Sequence, residues 1–388
     1  MFRSRYIVLV ILGVLILAGS LPGQSLQMQW SPEGKAIRQG KHIEWFRSGT
    51  PGDAGSVFYT WSDTRNGYRD VFIQKVDSAG NELFGADGTT VVSYDNRQED
   101  PVLITDGHGG AIVFWVDFRA DSTGDIYAQR IDSLGNQVWN PDGVPICTEQ
   151  HTQVSIRMTD DDNGGAYAVW LDNRNGNTSD IYGIHINGDG SINSGWAQNG
   201  NPVTTASGDQ SQHSLIKDGT GNAVVVWMDS RDGDDMDIYT QRLLSEGTMD
   251  WTADGLLIAG AAGMQMTPKL ANAGGSGVYL AWRDLSTDNS GDIYGQHIAP
   301  DGTLNWGASG IAIVDQSDQQ RNPRVTGDDG DFFIAWEDFR NDPVHPDIYA
   351  QKMDASGTAA WASEGVQVTA AAEGQEEPRI TPDARGGA

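Results

Sequence analysis

The chain has 388 residues, of which 25 are basic and 53 acidic, and its formal net charge is −28. Such a charge repels phosphate backbones and anionic membrane surfaces, so nucleic acid is not an expected partner. Forty-nine glycines and 13 tryptophans favour an all-β chain with many tight turns over a helical one. The acidity is interpreted as solubility and Asp-rich turns, with cation binding as the alternative.

The first 20 residues have the layout of a secretory signal peptide. Arg3 and Arg5 precede an apolar run from Tyr6 to Ala18, and small residues follow. This run is shorter than the ~20 residues that a membrane span needs. We predict cleavage after Ser20, a secreted or cell-surface protein and no membrane insertion after cleavage. A retained anchor is the alternative. Residues 21–388 are expected to form one domain.

A sequence repeat of about 55 residues then occupies the chain. Each unit contains Trp-x-Asp-x-Arg, with Ser286 in place of the arginine in one unit. The repeated residues are Trp61, Asp63, Arg65, Trp115, Asp117, Arg119, Trp170, Asp172, Arg174, Trp227, Asp229, Arg231, Trp282, Asp284, Trp336, Asp338 and Arg340.

The second complete unit illustrates the elements that each repeat predicts. Strands are expected at residues 101–105, 111–117, 125–131 and 144–148, because alternating apolar patterns there are separated by Gly- and Asp-rich turns. The third strand begins with Asp125-Ile126-Tyr127, and the unit closes with an aromatic residue and a glycine four positions later. Four short strands per repeat predict a blade of a β-propeller.

The two ends of the chain suggest how many blades there are. Trp30 and Gly34 repeat the closing pair of a unit, and residues 378–383 have the pattern of a first strand. We therefore expect seven blades in the full protein, the last one completed by the N-terminal strand and truncated here at its C-terminal end. Six blades, or a two-sheet sandwich array, are the alternatives.

The repeated Trp, Asp and Arg residues are interpreted as structural, because a catalytic group is needed only once. We expect each Asp to bond to Arg or to backbone and so fix the strand end, with Trp filling the space between blades. A ring of equivalent sugar-binding sites, one per blade, is the alternative interpretation.

Acidic loops between the second and third strands are the candidate metal sites. Calcium takes six to eight oxygen ligands, and the loops that contain Asp232, Asp234, Asp235 and Asp288 are rich in side-chain oxygens. Asx turns without a bound ion are the alternative. Cys147 is the single cysteine, so no internal disulfide can form, and its apolar surroundings predict a buried, unreactive side chain.

Motifs for catalysis are missing from the sequence. The seven histidines do not have a metal-binding spacing, and neither a nucleophile elbow nor a phosphate-binding loop is present. Paired carboxylates for glycoside cleavage carry no information among 53 acidic residues. We therefore predict no catalytic and no cofactor-binding residue, with calcium as the one cofactor that the loops could hold.

Two segments resemble the Asp-box hairpin of sialidase-type propellers: one begins at Asp132 and ends at Trp139, and the other runs from Asp301 to Trp306. Residues 30–388 as a whole resemble secreted bacterial propeller-repeat proteins that carry Trp-x-Asp-x-Arg and Asp-Ile-Tyr-Ala-Gln blades. The resemblance implies an exported or surface-attached protein, in which a C-terminal immunoglobulin-like or secretion-sorting domain follows the propeller.

The same resemblance suggests a comparison between two arginines of this chain and the arginines of sialidases. Sialidases use an arginine triad, and Arg324 and Arg379 are similar in context to the first of these arginines. The aligned positions in other units are taken to be Leu103, Ile156 and Leu270. On that alignment the two arginines are repeat variation, and the resemblance transfers no catalytic residue.

The function expected from the sequence is therefore a non-catalytic extracellular scaffold or binding module. It would recognise a glycan or an extracellular protein through the loops at one end of the propeller. The alternative is a sialidase-like, glycan-active hydrolase, for which we would expect a single deep acidic pocket.

Overall fold

The computed structural model describes residues 44–233, 235–287, 290–328, 330–369, 373–382 and 387–388. In these ranges 24 strands form six antiparallel sheets of four strands each. Every sheet uses four strands that are consecutive in sequence, which we call its first to fourth strand. A short 3-10 turn spans Asp53–Gly55, and within the described ranges no helix is long and apolar enough to cross a membrane.

The strands of the six sheets have the following bounds. Sheet 1 contains β1 Glu44–Pro51, β2 Val57–Asp63, β3 Asp70–Val76 and β4 Thr89–Val92; sheet 2 contains β5 Gln98–Thr105, β6 Ala111–Asp117, β7 Asp125–Ile131 and β8 Val144–Cys147. Sheet 3 contains β9 Gln153–Asp160, β10 Ala166–Asp172, β11 Asp180–Ile186 and β12 Asn201–Thr204; sheet 4 contains β13 Gln210–Lys217, β14 Ala223–Asp229, β15 Asp237–Leu243 and β16 Leu256–Ala259. Sheet 5 contains β17 Gln265–Asn272, β18 Val278–Asp284, β19 Asp292–Ile298 and β20 Ile311–Val314; sheet 6 contains β21 Gln320–Asp328, β22 Asp331–Asp338, β23 Asp347–Asp354 and β24 Val366–Thr369.

Contacts divide the chain into two compact units. The first comprises the described part of Met1–Ile156 with Asp162–Ala166 and Ile186–Ser191; the second comprises Arg157–Asp161, Tyr167–His185 and the described part of Ile192–Ala388. Sheets 1 and 2 lie in the first unit, sheets 4 to 6 lie in the second, and sheet 3 contributes to both.

Each unit has its own hydrophobic core. In the first, Phe58 and Ile73 of sheet 1 pack with Val113 and Trp115 of sheet 2. In the second, one cluster joins sheets 4 and 5 around Trp282, and another joins sheets 5 and 6. Apolar side chains cover both faces of the second strands, as expected for sheets stacked face to face.

The predicted strands agree with these bounds except at the first strand. Residues 111–117 and 125–131 are β6 and β7, and the fourth strand ends at Cys147, which is buried. The first strand begins at Gln98, three residues earlier than predicted, because a bulge between Glu99 and Val102 interrupts the alternating pattern.

The closing glycine of each unit is explained by the repeated tryptophan. Gly143 has a φ of 89°, and a Cβ there would lie 2.4 Å from the Trp115 ring. Glycine is therefore required both by the backbone and by close packing. The same approach occurs between Gly88 and Trp61, Gly200 and Trp170, Gly255 and Trp227, Gly310 and Trp282, and Gly365 and Trp336.

The predicted class, an all-β fold of four-stranded blades, is confirmed, and six sheets fit the six-blade alternative. Trp30, Gly34 and the predicted signal peptide lie outside the described residues. Residues 375–382 are not assigned to a strand, but they begin as the first strands do: Gln375 N donates to Pro346 O at 2.8 Å, as Gln320 N does to Gly291 O at 2.9 Å.

Candidate functional site

The repeated Trp-x-Asp-x-Arg residues form a hydrogen-bonded network at the end of the second strand. In sheet 2, Trp115 Nε1 donates to Asp117 Oδ2 at 2.7 Å, and Arg119 Nη2 donates to the same oxygen at 2.6 Å. Arg119 Nη2 also donates to Asp142 O at 2.9 Å, next to the closing glycine. The aspartates of the equivalent networks are Asp63, Asp172, Asp229 and Asp338; Asp284 instead accepts from Trp282 and the Ser286 amide.

The aspartate that opens the third strand lies opposite this network. Asp125 pairs with Asp117 in the strand register, and burial together with the nearby Asp121 and Asp117 raises the pKa of Asp125 to about 6. The pKa values of Asp180 and Asp237 are also raised to about 6 by burial and neighbouring aspartates. Since several sheets share the feature, it belongs to the repeated framework.

A different position, on the first strands, distinguishes the sheets from one another. β5, β9, β13, β17 and β21 each begin with a fully buried glutamine. Four residues after it stand Val102, Arg157, Ser214, Lys269 and Arg324, and Arg379 follows Gln375 by the same interval. We call Arg157, Lys269, Arg324 and Arg379 the first-strand cations.

The strand register shows that the sequence alignment of Arg324 was wrong by one residue. Arg324 pairs with Ala335, which precedes Trp336, and Lys269 pairs with Ala281, which precedes Trp282. Lys269, not Leu270, is therefore the counterpart of Arg324. By the same spacing, Arg157 replaces Ile156 as the counterpart in sheet 3, so the two arginines are not isolated repeat variation.

A bulge precedes each first-strand cation. The residue two positions before it adopts a left-handed conformation, with φ values of 60° at Ser155, 52° at Thr267, 55° at Asn322 and 54° at Glu377. Non-glycine residues rarely occupy this region, which costs of order 1–3 kcal/mol each. A bulge changes the direction in which the following side chains point.

Electrostatic interactions link several of the first-strand cations in the second unit. Burial, with contributions from Arg324 and Arg157, lowers the pKa of Lys269 to about 8. Burial and the Arg379 guanidinium lower the pKa of Arg324, and burial lowers that of Arg157. β17 packs between β13 and β21, so Arg157 on β9 influences Lys269 from beyond a neighbouring strand.

Three of these cations form no ion pair in the described part of the chain, although Glu337 and Glu377 favour the charged form of Arg324. Lys269 Nζ donates to Pro268 O at 3.1 Å, Arg324 Nη1 to Pro323 O at 3.2 Å and Arg379 Nη1 to Pro378 O at 3.3 Å. None of the three has an ion pair with a described acidic side chain. Basic residues near the hairpins are paired, as in the 2.7 Å contact between Arg242 and Asp218.

A groove opens near the start of β21. It has a volume of about 300 Å³ and is lined by Ser290, Ser317, Asp318, Gln319, Phe339 and Pro343. The Arg321 guanidinium lies 4.7 Å from the centre of the Phe339 ring. An aromatic ring with hydroxyl and amide groups around it suits a sugar, which presents both apolar and polar faces.

Glu337 is a buried carboxylate that pairs with Arg321 near this groove. It is 1% exposed and accepts hydrogen bonds from Arg321 Nε at 2.7 Å and Glu377 N at 2.9 Å. Burial opposes ionisation, but these donors prevail and lower the pKa of Glu337. A carboxylate held ionised in this way positions Arg321 and the bulge at Glu377, and it is a poor proton donor.

The predicted calcium ligands are only partly described. Asp234 and Asp288 lie outside the described residues. Asp232 Oδ2 accepts a long hydrogen bond of 3.4 Å from the Tyr239 hydroxyl, and Asp235 Oδ2 accepts one of 3.3 Å from Gly263 N. Within the described ranges, no three His, Cys, Asp or Glu side chains are grouped to hold a metal ion. Calcium binding stays a prediction.

Comparisons with known proteins found matches among solved structures but not among sequences. No protein-family model and no curated protein sequence matches the chain. A PL25 polysaccharide lyase, an ulvan lyase bound to GlcA(1-4)Rha3S, is 10% identical with a TM-score of 0.50, over 86% of this chain and 82% of its own.

Two further structures are more distant in TM-score. A protein of unknown function from Dyadobacter fermentans DSM 18053 is 12% identical with a TM-score of 0.41, over 81% of this chain and 95% of its own. The Hadza microbial sialidase Hz136 is 11% identical with a TM-score of 0.39, over 76% of this chain and 65% of its own. At 10% identity, the likeness to the lyase of TM-score 0.50 shows a shared β-propeller fold and no more.

The comparisons contradict the prediction of a non-catalytic scaffold or binding module. Among the structures described above, the one with a TM-score of 0.50, which matches most of this chain, is a polysaccharide lyase. The leaning against an enzyme is wrong for the same reason. The expected sign of charge also differs, because the variable position of the first strands holds basic and not acidic side chains in sheets 3, 5 and 6.

Proposed function

We propose that this protein is an enzyme that cleaves a negatively charged glycan at the first-strand cations. The observation that carries the proposal is the set of basic side chains at one register position, three of them without a described acidic partner. Basic side chains that form no described ion pair favour binding of a carboxylate or sulfate group.

The net charge of the molecule also favours a localised basic binding site. A chain with a net charge of −28 repels a polyanion over most of its surface, so binding requires a localised basic region. The structural neighbour of highest TM-score among those described above is a lyase with a bound uronate- and sulfate-containing sugar. The groove lined by Phe339 supplies an aromatic surface next to Arg321 for an adjoining sugar ring.

The test is a panel of neutral, uronate-containing and sulfated polysaccharides, incubated with the purified chain and assayed for new reducing ends. We expect cleavage of an anionic polymer, loss of cleavage in R324A and R379A, and near-normal cleavage in R97A. Arg97 is a matched control, because it is a half-exposed arginine that packs on Phe118 in the first unit. Equal cleavage of neutral polymers by R324A and the unchanged chain would contradict the proposal.

The same proposal includes export of the protein from the cell. Polysaccharides of this kind are outside the cell, so we propose that the protein acts as a secreted or surface-attached enzyme, as the predicted signal peptide requires. Detection of the chain lacking residues 1–20 in the culture medium of an expressing bacterium would support export. Retention of the full-length chain in the membrane fraction would favour the anchor alternative.

A further inference from the structure

The repeat is broken in two loops, and both breaks lie at the groove near the start of β21. In sheet 5, Ser286 replaces the arginine of the Trp-x-Asp-x-Arg network. In sheet 6, the loop between the second and third strands is longer than in the other sheets and contains Pro343 and Pro346. Ser290, from the same loop as Ser286, and Pro343 both line the groove. Departures from a repeat are expected where a function is needed only once.

Sheet 5 carries a basic side chain at this groove that the other sheets lack. The residue that follows the repeated tryptophan is Ser62, Val116, Leu171, Met228, Arg283 and Glu337 in sheets 1 to 6. Arg283 Nη2 donates to Ser290 O at 2.7 Å, so its guanidinium contacts a residue that lines the groove. The position is apolar or acidic in most sheets, and the arginine therefore gives this groove a charge that the framework does not need.

Most hydrogen-bond donors of Arg283 have no acceptor among the described residues. The side chain is half-buried, and the contact with Ser290 O is its one described hydrogen bond. Its Nε is buried without a partner, and no described acidic side chain forms an ion pair with it. Burial and the Arg321 guanidinium lower the pKa of Arg283. Buried donors without an acceptor cost stability, so an anion that supplies the acceptor is favoured there.

Arg321, the other guanidinium at this groove, already has its charge neutralised. Its Nε donates to Glu337 Oε2 at 2.7 Å, and its Nη2 lies 3.6 Å from Glu376. Its Nη1 donates to Gln319 Oε1 at 3.3 Å, and the guanidinium lies 4.7 Å from the centre of the Phe339 ring. Arg321 therefore holds the aromatic side of the groove in place, whereas Arg283 keeps its charge for a ligand.

Asp318 is the acidic side chain among the lining residues. It is exposed, whereas Arg283 is half-buried. Water and salt screen an exposed charge more than a half-buried one, so Asp318 weakens the attraction for an anion without cancelling it. We expect D318N to bind an anionic sugar more tightly than the unchanged chain does.

We propose that this groove binds an anionic sugar whose carboxylate or sulfate group accepts hydrogen bonds from Arg283, while the sugar packs beside Phe339. The inference rests on the proposed function, because this sugar adjoins the one bound at the first-strand cations. Arg321 and Arg324 both lie on β21, and the strand between them spans at most about 10 Å. One chain of linked sugars can therefore reach both places. The polysaccharide that this protein cleaves carries charge on neighbouring sugars.

Two oligosaccharides with one backbone test the second charged sugar. Chondroitin alternates a uronate with a neutral sugar, and chondroitin sulfate carries a sulfate on that second sugar. The affinity of the purified chain for a hexasaccharide of each is measured by titration calorimetry at one salt concentration. We expect the unchanged chain to bind the sulfated form more tightly. In R283M the affinity for the sulfated form should fall by about 10-fold or more, and that for the unsulfated form should change little. R97M should alter neither.

The variants are chosen so that a failure to fold does not explain the result. Methionine is compatible with position 283, because Met228 occupies the same position in sheet 4 and is 3% exposed. R324A is expected to give the complementary result, in which both hexasaccharides bind more weakly and the preference for the sulfated form remains.

A glycine substitution would move the guanidinium without removing its charge. Gly291 has a φ of 90°, and an added Cβ would overlap Arg283 Nε. At the same place in sheet 2, Gly124 has a φ of 88°, and an added Cβ would lie 2.7 Å from Val116. Both substitutions strain the backbone. We expect G291A to lose the preference for the sulfated form and G124A to keep it.

Three results would count against this inference. Equal affinity of the unchanged chain for the two hexasaccharides, or binding of neither, would overturn the second charged sugar. A preference for the sulfated form that persists in R283M would overturn the role of Arg283, and so would its loss in G124A. The cleavage panel decides the proposed function separately. Cleavage of an anionic polymer with the same KM in R283M and the unchanged chain would leave that function standing without this groove.

Discussion

The ends of the second strands and the middle of the first strands differ in how the repeat uses charge. At the second strands, Asp117 and its counterparts accept bonds from a tryptophan and, in most sheets, an arginine. At the first strands, the variable position changes from Val102 to Ser214 to Lys269. Lys269 and Arg324 there donate to the carbonyl of the preceding proline instead of to a carboxylate.

This difference indicates which residues stabilise the sheets and which are expected to bind a ligand. A network whose charges are paired and buried contributes to stability, and it can recur in every sheet because every sheet needs it. Unpaired, desolvated cations cost stability, and a fold retains them only where a ligand uses them. Opposite effects of mutation on the free energy of unfolding at the two positions would establish the distinction.

The largest effect is expected at the second strands. In D229A, Trp227 Nε1 and the Arg231 guanidinium lose their shared acceptor, and a buried charge is left without its partner. We expect a loss of about 3–5 kcal/mol in the free energy of unfolding, measured by urea denaturation. K269M is the control and should lose much less. Equal losses in the two variants would remove the distinction between the positions.

Glycine substitutions should show a smaller, graded effect. G143A places a Cβ 2.4 Å from the Trp115 ring at a φ of 89°, so we expect a loss of about 2–4 kcal/mol. G67A is the matched control, because Gly67 also has a positive φ but no atom within 4 Å of the added Cβ. Its loss should be about 1 kcal/mol. Thermal unfolding of both would show whether packing adds to the backbone cost.

The paired aspartates predict that replacing Asp125 stabilises the folded state in a pH-dependent way. Burial and nearby aspartates raise the folded-state pKa of Asp125 from 3.8 to about 6, so the folded state binds its proton more tightly than the unfolded chain does. Stability from this group is present below about pH 4 and is lost as the pH rises through 6.

D125N removes this loss, and we expect its free energy of unfolding to exceed that of the unchanged chain by about 1 kcal/mol at pH 8. No such gain is expected at pH 4, which urea denaturation at the two pH values would test. D132N is the control, because hydrogen bonds from Asn136 and the turn backbone lower the pKa of Asp132. A gain in D132N at pH 8 would contradict this explanation.

The smallest effect on stability is expected at the first-strand cations. R324M removes a charge that is desolvated and close to Arg379, so we expect an unchanged midpoint of thermal unfolding or a rise equivalent to less than about 1 kcal/mol. R119M should lower the midpoint, because Asp117 would lose the arginine that pairs with it at 2.6 Å. A marked loss in R324M would mean that Arg324 has a structural role.

Much of the framework was predictable because it repeats. The interval between tryptophans, the Asp-Ile-Tyr segments and the closing glycines locate the second, third and fourth strands, as β6, β7 and β8 illustrate. The signal for the binding site was present too: Gln320 and Arg324 have the same spacing as Gln265 and Lys269. It was missed because the alignment followed the apolar residues Ile156 and Leu270 instead of the glutamines.

The sequence alone determined the all-β class, the repeat and the four-stranded unit, because strand period and turn glycines are local properties of the chain. Only the tertiary structure decided that Lys269 and Arg324 occupy one register position and that several first-strand cations influence one another's charge. Bulges set this position, and a bulge changes the pairing between strands without leaving a clear local pattern. Charges that are far apart in sequence come together only when the first strands pack side by side.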